Sequence, residues 1–256
     1  YTMPVHLSVT ESIYDIPLKS LPLHGGVQAS STQEGYWFLN EMATNKSAYN
    51  LSVVLRGDGQ LQPAILEESL RDLVLKHEIL RSFFSWEGDE LIQKTNSKSM
   101  VSIELKESAK NNFREVIDEP FDLTTGPLYR FCGYQSDNNS FALLIVMHHI
   151  IIDFHAINIL LRDLEMFYNA ASSKQPITLE RRAVDYSGYA AWQKRWLNSE
   201  NFEKKLLYWK SHLAEPRDAL PLPMHKPHCF SSKSRCSRCI VFLDGVALKK
   251  IKEFCQ

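Results

Sequence analysis

FALLIVMHHIIIDFHAINILLRDLEMFY, Phe141 to Tyr168, governs how the rest of the chain is read. Phe141 to Met147 is apolar at every position, as expected of a central strand covered on both faces. After Asp153, residues Ile157, Leu160, Leu161 and Leu164 fall at i, i+3, i+4 and i+7, with Phe167 following, which predicts a helix that packs back on the sheet. Between strand and helix stand His148, His149 and Asp153. Three chemistries compete there. The histidines are polar core residues, or metal ligands, or one of them is a general acid–base facing a cleft. A metal needs at least three converging ligands, and neighbouring residues on extended backbone point to opposite sides. A cleft histidine needs only one side chain in the right place.

Upstream, Pro4, Pro17, Pro22 and Gly25-Gly26 mark the first 30 residues as extended arm and loop. SSTQEGYWFLNEM predicts a helix capped by Ser30, Ser31 or Thr32, with Trp37, Phe38, Leu39 and Met42 on one face. LSVVLRGDG is a β-branched run closed by a Gly-Asp-Gly turn, hence a strand. Pro63 opens a helix carrying Leu66, Leu70, Leu73, Val74 and His77 down to Ile79, and LRSFFSW continues as a strand. A polar segment follows, then a weak helix from Lys110 to Asp118 and a turn-plus-strand in FDLTTGPLYRFCGYQ. Downstream, helices are expected at Asp185 to Leu197 and Ser199 to Leu213, a proline-punctuated linker at PLPMHKP, and strand, turn and helix in CIVFLDGVALKKIKEF. Strands interspersed with helices predict an α/β fold.

Composition narrows the function. The 256 residues are enough for one large domain or two small ones. A net charge of −1 gives no reason to expect nucleic acid or an acidic membrane surface as partner. No apolar run approaches the roughly 18 residues that span a bilayer. The amino end lacks a basic-then-apolar leader and an initiating Met, so the expectation is an excised piece of a longer cytoplasmic chain. The five cysteines are irregularly spaced, which favours reduced thiols. His225, His228, Cys229, Cys236 and Cys239 have spacings a zinc site could use, but their uneven order favours a linker, and no metal is expected.

The order of segments resembles the condensation domains of nonribosomal peptide synthetases. Gln33 precedes Tyr36-Trp37-Phe38-Leu39, and SAYN (Ser47 to Asn50), KHEILRSFF (Lys76 to Phe84), PFDLTTGPLYR (Pro120 to Arg130) and HHIIIDF (His148 to Phe154) follow in the family's order. DYSGYAAWQ (Asp185 to Gln193) and YWKSHL…LPLP continue it. Together these cover nearly the whole chain beyond its first 20 residues. The resemblance implies an α/β sandwich of the chloramphenicol acetyltransferase type, of which this chain holds the amino-terminal lobe. Residues 1–20 would be an arm, 21–220 that lobe, and 221–256 a linker and the start of a second lobe that is largely missing.

The resemblance also implies a reaction: a carrier-bound acyl thioester joins a carrier-bound amine to give an amide. An unperturbed imidazole titrates near 6.5 and an α-amino group near 8, so a cleft histidine can take the proton that the attacking nitrogen sheds. By position in the motif, His149 is the catalytic residue. His148 and Asp153 support it, with Asp153 buried and paired to an arginine, either Arg81, the available candidate, or one in the missing lobe. Phe154, Trp37 and Tyr49 are candidates to line the substrate tunnel, and Phe154 stands where the family has glycine. The partners implied are acyl or peptidyl carrier proteins bearing phosphopantetheine, with no cofactor held by the domain itself. Epimerisation domains and catalytically silent recruitment domains share the fold and stay open as alternatives. Freestanding coenzyme A acyltransferases share HxxxD but lack the LR and PFDL-x-x-GPL surroundings.

Overall fold

The computed structural model describes residues 26–97, 101–107, 113–136, 139–176, 184–215 and 242–255. The chain divides into two compact units between Ser211 and His212. The first contains β1 (Val27–Gln28), α1 (Ser31–Met42), β2 (Asn50–Asp58), α2 (Pro63–Lys76), a 3-10 turn (Glu78–Arg81), β3 (Ser82–Glu87) and β4 (Glu90–Thr95). It continues with β5 (Ile103–Glu107), α3 (Phe113–Asp118), β6 (Tyr129–Ser136), β7 (Ser140–His148), α4 (Phe154–Ser172), α5 (Tyr186–Leu197) and most of α6 (Glu200–His212). The second unit holds α7 (Gly245–Phe254), started by Asp244, whose carboxylate accepts the Ala247 N–H at 2.7 Å.

Two sheets form, in the orders β1-β4-β3 and β2-β7-β6-β5. β7 lies between antiparallel neighbours β2 and β6, and β5 closes the sheet parallel to β6. Every residue of β7 from Ala142 to His148 is buried. One face sets Ile145 and Met147, with Leu51 and Val53 of β2, against Leu73 of α2 and Leu160 and Leu164 of α4. On β2 the Asn50 amide reaches to the end of α3, donating to the Ile117 and Glu119 carbonyls at 2.7 and 2.9 Å. The unbroken apolar run therefore has the cause expected of it: both sides of the strand are inside. Each leucine so buried contributes about 1.5–3 kcal/mol.

Several elements differ from the sequence reading. On α1 the inward residues are Gln33, Trp37 and Asn40, whereas Phe38, Leu39 and Met42 are exposed. The Gln33 amide donates to Gln93 Oε1 at 2.8 Å and the Gln93 amide donates to Ser82 Oγ at 3.1 Å, so a buried polar chain joins α1 to β4 and β3. The helix after Pro63 stops at Lys76, because His77 takes extended dihedrals, and the turn to Arg81 is 3-10. The polar segment contains two strands, β4 and β5. β4 forms a hairpin with β3 about Gly88-Asp89, with Gly88 at φ +62°. The proline-punctuated linker, the zinc-like cluster and most of the CIVFL strand lie outside the described residues. Among the described residues neither Cys132 nor Cys255 is in a disulfide, and no helix is long and apolar enough to cross a membrane.

Candidate active site

β7 ends at His148 and the chain turns through His149 to Ile152 before α4 begins. Alternation along the strand sends the two imidazoles apart. His148 is fully buried. Its Nδ1 accepts the Ile150 N–H at 3.1 Å, which leaves the neutral ring's proton on Nε2, a buried atom without a hydrogen-bond partner. Burial, and then the neighbouring His149, push the His148 pKa down to about 4. His148 is thus neutral at pH 7.

His149 is half-buried and held at the backbone, its N–H donating to the Tyr49 carbonyl at 2.8 Å. His149 lines a groove of about 530 Å³ that opens to solvent. Tyr36 of α1, Glu78 of the 3-10 turn, Ile152 and Asp153 of the junction, Asp185 just before α5 and Tyr189 of α5 line the same groove. Nε2 of His149 lies 3.2 Å from the Tyr36 hydroxyl, and the two rings stack with centroids 4.4 Å apart and planes 19° from parallel. Nδ1 is buried with no hydrogen-bond partner, so Nε2 is the nitrogen from which this histidine can work. Burial, and then the negative charge of Asp153 and the neighbouring Tyr49, raise the Tyr36 phenol above its ordinary range. Burial also pushes the Glu78 carboxyl up. Among the described residues no group of three or more histidine, cysteine or carboxylate side chains could hold a metal ion.

Asp153 is exposed and not ion-paired among the described residues; its Oδ1 caps α4 by accepting the Ala156 N–H at 2.7 Å. This corrects the expected buried pair with Arg81. A short carboxylate one residue before a helix finds its donor in the first turn, where the helix dipole also favours negative charge. Arg81 turns elsewhere, donating to the Val74 and Asn96 carbonyls at 3.2 and 2.7 Å. Trp37 is a core residue, 8% exposed, and does not line the groove. Tyr49 supports the site from behind, its ring edge-on to Tyr36 at 5.8 Å. Phe154 opens α4 with its ring 70% exposed, so it belongs neither to the core nor to the lining of the groove.

Tyr36, Glu78, Asp185 and Tyr189 are groove residues that sequence reasoning did not single out. All four lie within the quoted motifs, but no role was assigned to any of them. α5 reaches the groove because it clamps α1. Lys194 pairs with Glu34 at 2.6 Å, Gln193 Oε1 accepts the Ser31 N–H at 2.9 Å, and the Tyr186 and Ser30 hydroxyls meet at 3.0 Å.

The family model for condensation domains matches residues 24–256. Tyrocidine synthase 2 of Brevibacillus parabrevis is 32% identical over 201 residues, covering 77% of this chain and 5% of that protein. Malpinin synthetase of Mortierella alpina is 29% identical over 236 residues, covering 89% and 3%. Among solved structures, the X-domain in complex with OxyB from teicoplanin biosynthesis superposes with a TM-score of 0.73 at 25% identity, over 83% of this chain and 48% of that one. The starter condensation domain of rhizomide synthetase RzmA gives 0.67 at 18% identity, over 76% and 51%, a likeness of fold alone. The chain therefore spans about half of these solved chains and a few per cent of the curated relatives. The expected α/β sandwich stands, and with the family model running from residue 24 to the last residue, the chain belongs to the condensation-domain family.

Proposed function

We propose that this chain is the amino-terminal lobe of a domain that forms amide bonds in nonribosomal or hybrid polyketide–peptide synthesis, with His149 as the general base. The observation that carries the reading is His149 itself, which lines an open groove while its neighbour His148 is fully buried and unable to compete. An amine attacks the thioester carbonyl, the tetrahedral oxyanion forms, the attacking nitrogen loses a proton toward His149, and the carbon–sulfur bond breaks. General-base help of this kind is worth roughly 10²–10⁴-fold, and holding the two reactants end to end contributes at least as much.

The substrates arrive as thioesters on the phosphopantetheine arms of an upstream and a downstream carrier protein in the cytoplasm. In this reading residues 21–220 are the first lobe and 221–256 open the second. Two carriers, one charged with the acyl group and one with the amine, mixed with the natural full-length protein, test it. Mass spectrometry should find the joined amide on the acceptor carrier. An acyl group that stays on its donor while both carriers bind would support a recruitment domain instead. The likeness to an X-domain solved in complex with OxyB keeps that second reading in view.

A further inference from the structure

We infer that Tyr36 is the positioning residue of the site: its ring, by stacking, sets the plane in which the His149 imidazole works. The inference rests on His149 being the base.

A catalytic imidazole is ordinarily aimed by a hydrogen bond at its second nitrogen, from a carboxylate or a backbone carbonyl. His149 has no such bond, because its Nδ1 is buried without a hydrogen-bond partner. Its backbone is held, the N–H donating to the Tyr49 carbonyl at 2.8 Å. That leaves the ring's own torsion free, and a histidine ring has no sharp preference there. What remains is the face of the ring. Tyr36 lies against it with centroids 4.4 Å apart and planes 19° from parallel. The phenol oxygen, 3.2 Å from Nε2, therefore sits over the ring and off the in-plane lone pair that must take the amine's proton.

A stack can aim one ring only if the other is fixed, and Tyr36 is fixed from several sides. The edge of Tyr49 meets its ring at 5.8 Å. Its helix starts in a reciprocal cap, the Gln33 N–H donating to Ser30 Oγ at 3.3 Å and the Ser30 N–H to Gln33 Oε1 at 2.9 Å. Trp37, the next residue, is in the core, and the Lys194–Glu34 pair ties the same turn to α5. Tyr49 serves twice, its carbonyl holding the His149 backbone and its ring backing the phenol. Without the stack the imidazole turns about its last torsion and carries Nε2 away from the attacking nitrogen. A misplacement of about 1 Å costs on the order of 10²-fold in rate.

The test is the rate of amide formation by the natural full-length protein with charged carriers. Tyr36→Leu and Tyr36→Met keep an apolar, helix-forming side chain and remove the ring. Each should lower kcat roughly tenfold to a hundredfold, the scale of a misplaced reacting group, with KM for the acceptor carrier and the melting temperature little changed. Tyr36→Phe, which restores the ring without the hydroxyl, should recover most of that loss. Because Tyr36 acts only through His149, adding Tyr36→Leu to His149→Ala should lower the residual rate no further. Four results would overturn the positioning role: an undiminished kcat without the ring, Tyr36→Phe as slow as Tyr36→Leu, an equal fold-loss in the His149→Ala background, or a loss accounted for by unfolding. Full activity in His149→Ala would instead overturn the assignment of the base, so the two failures are separable.

Discussion

Adjacent histidines with opposite fates are the centre of the molecule at the scale of residues. His148 gains a proton in the unfolded chain near pH 6.5 but in the folded chain only near pH 4. Its contribution to stability is therefore complete above about pH 6.5 and is lost as pH falls toward 4, on the order of 3 kcal/mol in all. Melting temperatures recorded across that window should fall for the natural chain. They should fall less for His148→Asn, which keeps an acceptor for the Ile150 N–H and cannot titrate; parallel curves would contradict the assignment. Asp153 gives a second expectation. As a helix cap its replacement by alanine should cost about 1 kcal/mol, largely restored by serine, whereas a buried ion pair would cost about 3–5 kcal/mol. Thermal melts of the two variants decide between these. The opposed histidines were legible in the sequence, because extended backbone alternates. The cap also has a signal, an Asp directly before an amphipathic run, but that Asp was read as a buried ion-pair partner. What Arg81 binds was not legible, since the carbonyls that take it become available only where α2 ends and the chain passes Asn96.

Among elements, α2 and α4 are tied together by Asp163, 5% exposed, which meets Lys76 Nζ at 3.1 Å and His77 Nε2 at 2.8 Å. Burial alone would raise its carboxyl, but the hydrogen bonds from Lys76 and His77 outweigh that and hold it below the usual range. Asp163→Ala should lose roughly 3–5 kcal/mol, because it removes the carboxylate from a buried ion-pair contact; a denaturant melt showing under 1 kcal/mol would contradict the tie. Phe154→Gly should be mild, costing at most about 1 kcal/mol for the glycine, since the ring it removes is exposed. A loss of several kcal/mol in the same melt would return Phe154 to the core. The long periodic elements were readable from their patterns. β4 and β5 were passed over although each carries a signal. Gly88-Asp89 is a two-residue hairpin loop, and Val101, Ile103 and Leu105 alternate. Their charged neighbours masked these short runs, and Leu105, 52% exposed on an edge strand, buries too little to stand out.

At the scale of the whole molecule, the groove exists only because distant segments meet: α1 near residue 36, the 3-10 turn near 78, the junction near 150 and α5 near 186. No local pattern announces such a meeting, so the sequence yielded the histidines and not the phenol that covers one of them. The resemblance of ordered motifs carried the fold, because motif order survives where individual contacts change. It did not carry the contacts, as Trp37 and Arg81 illustrate. The central claim is that His149 does chemistry in the groove and does not hold it together. The measurement that meets it most directly is the single-turnover rate of amide formation between charged carriers, compared for the natural full-length protein and His149→Ala, with melting temperatures alongside. The account predicts a rate lower by roughly 10²–10⁴-fold at nearly unchanged melting temperature; an undiminished rate, or a loss of rate explained by unfolding, would contradict it.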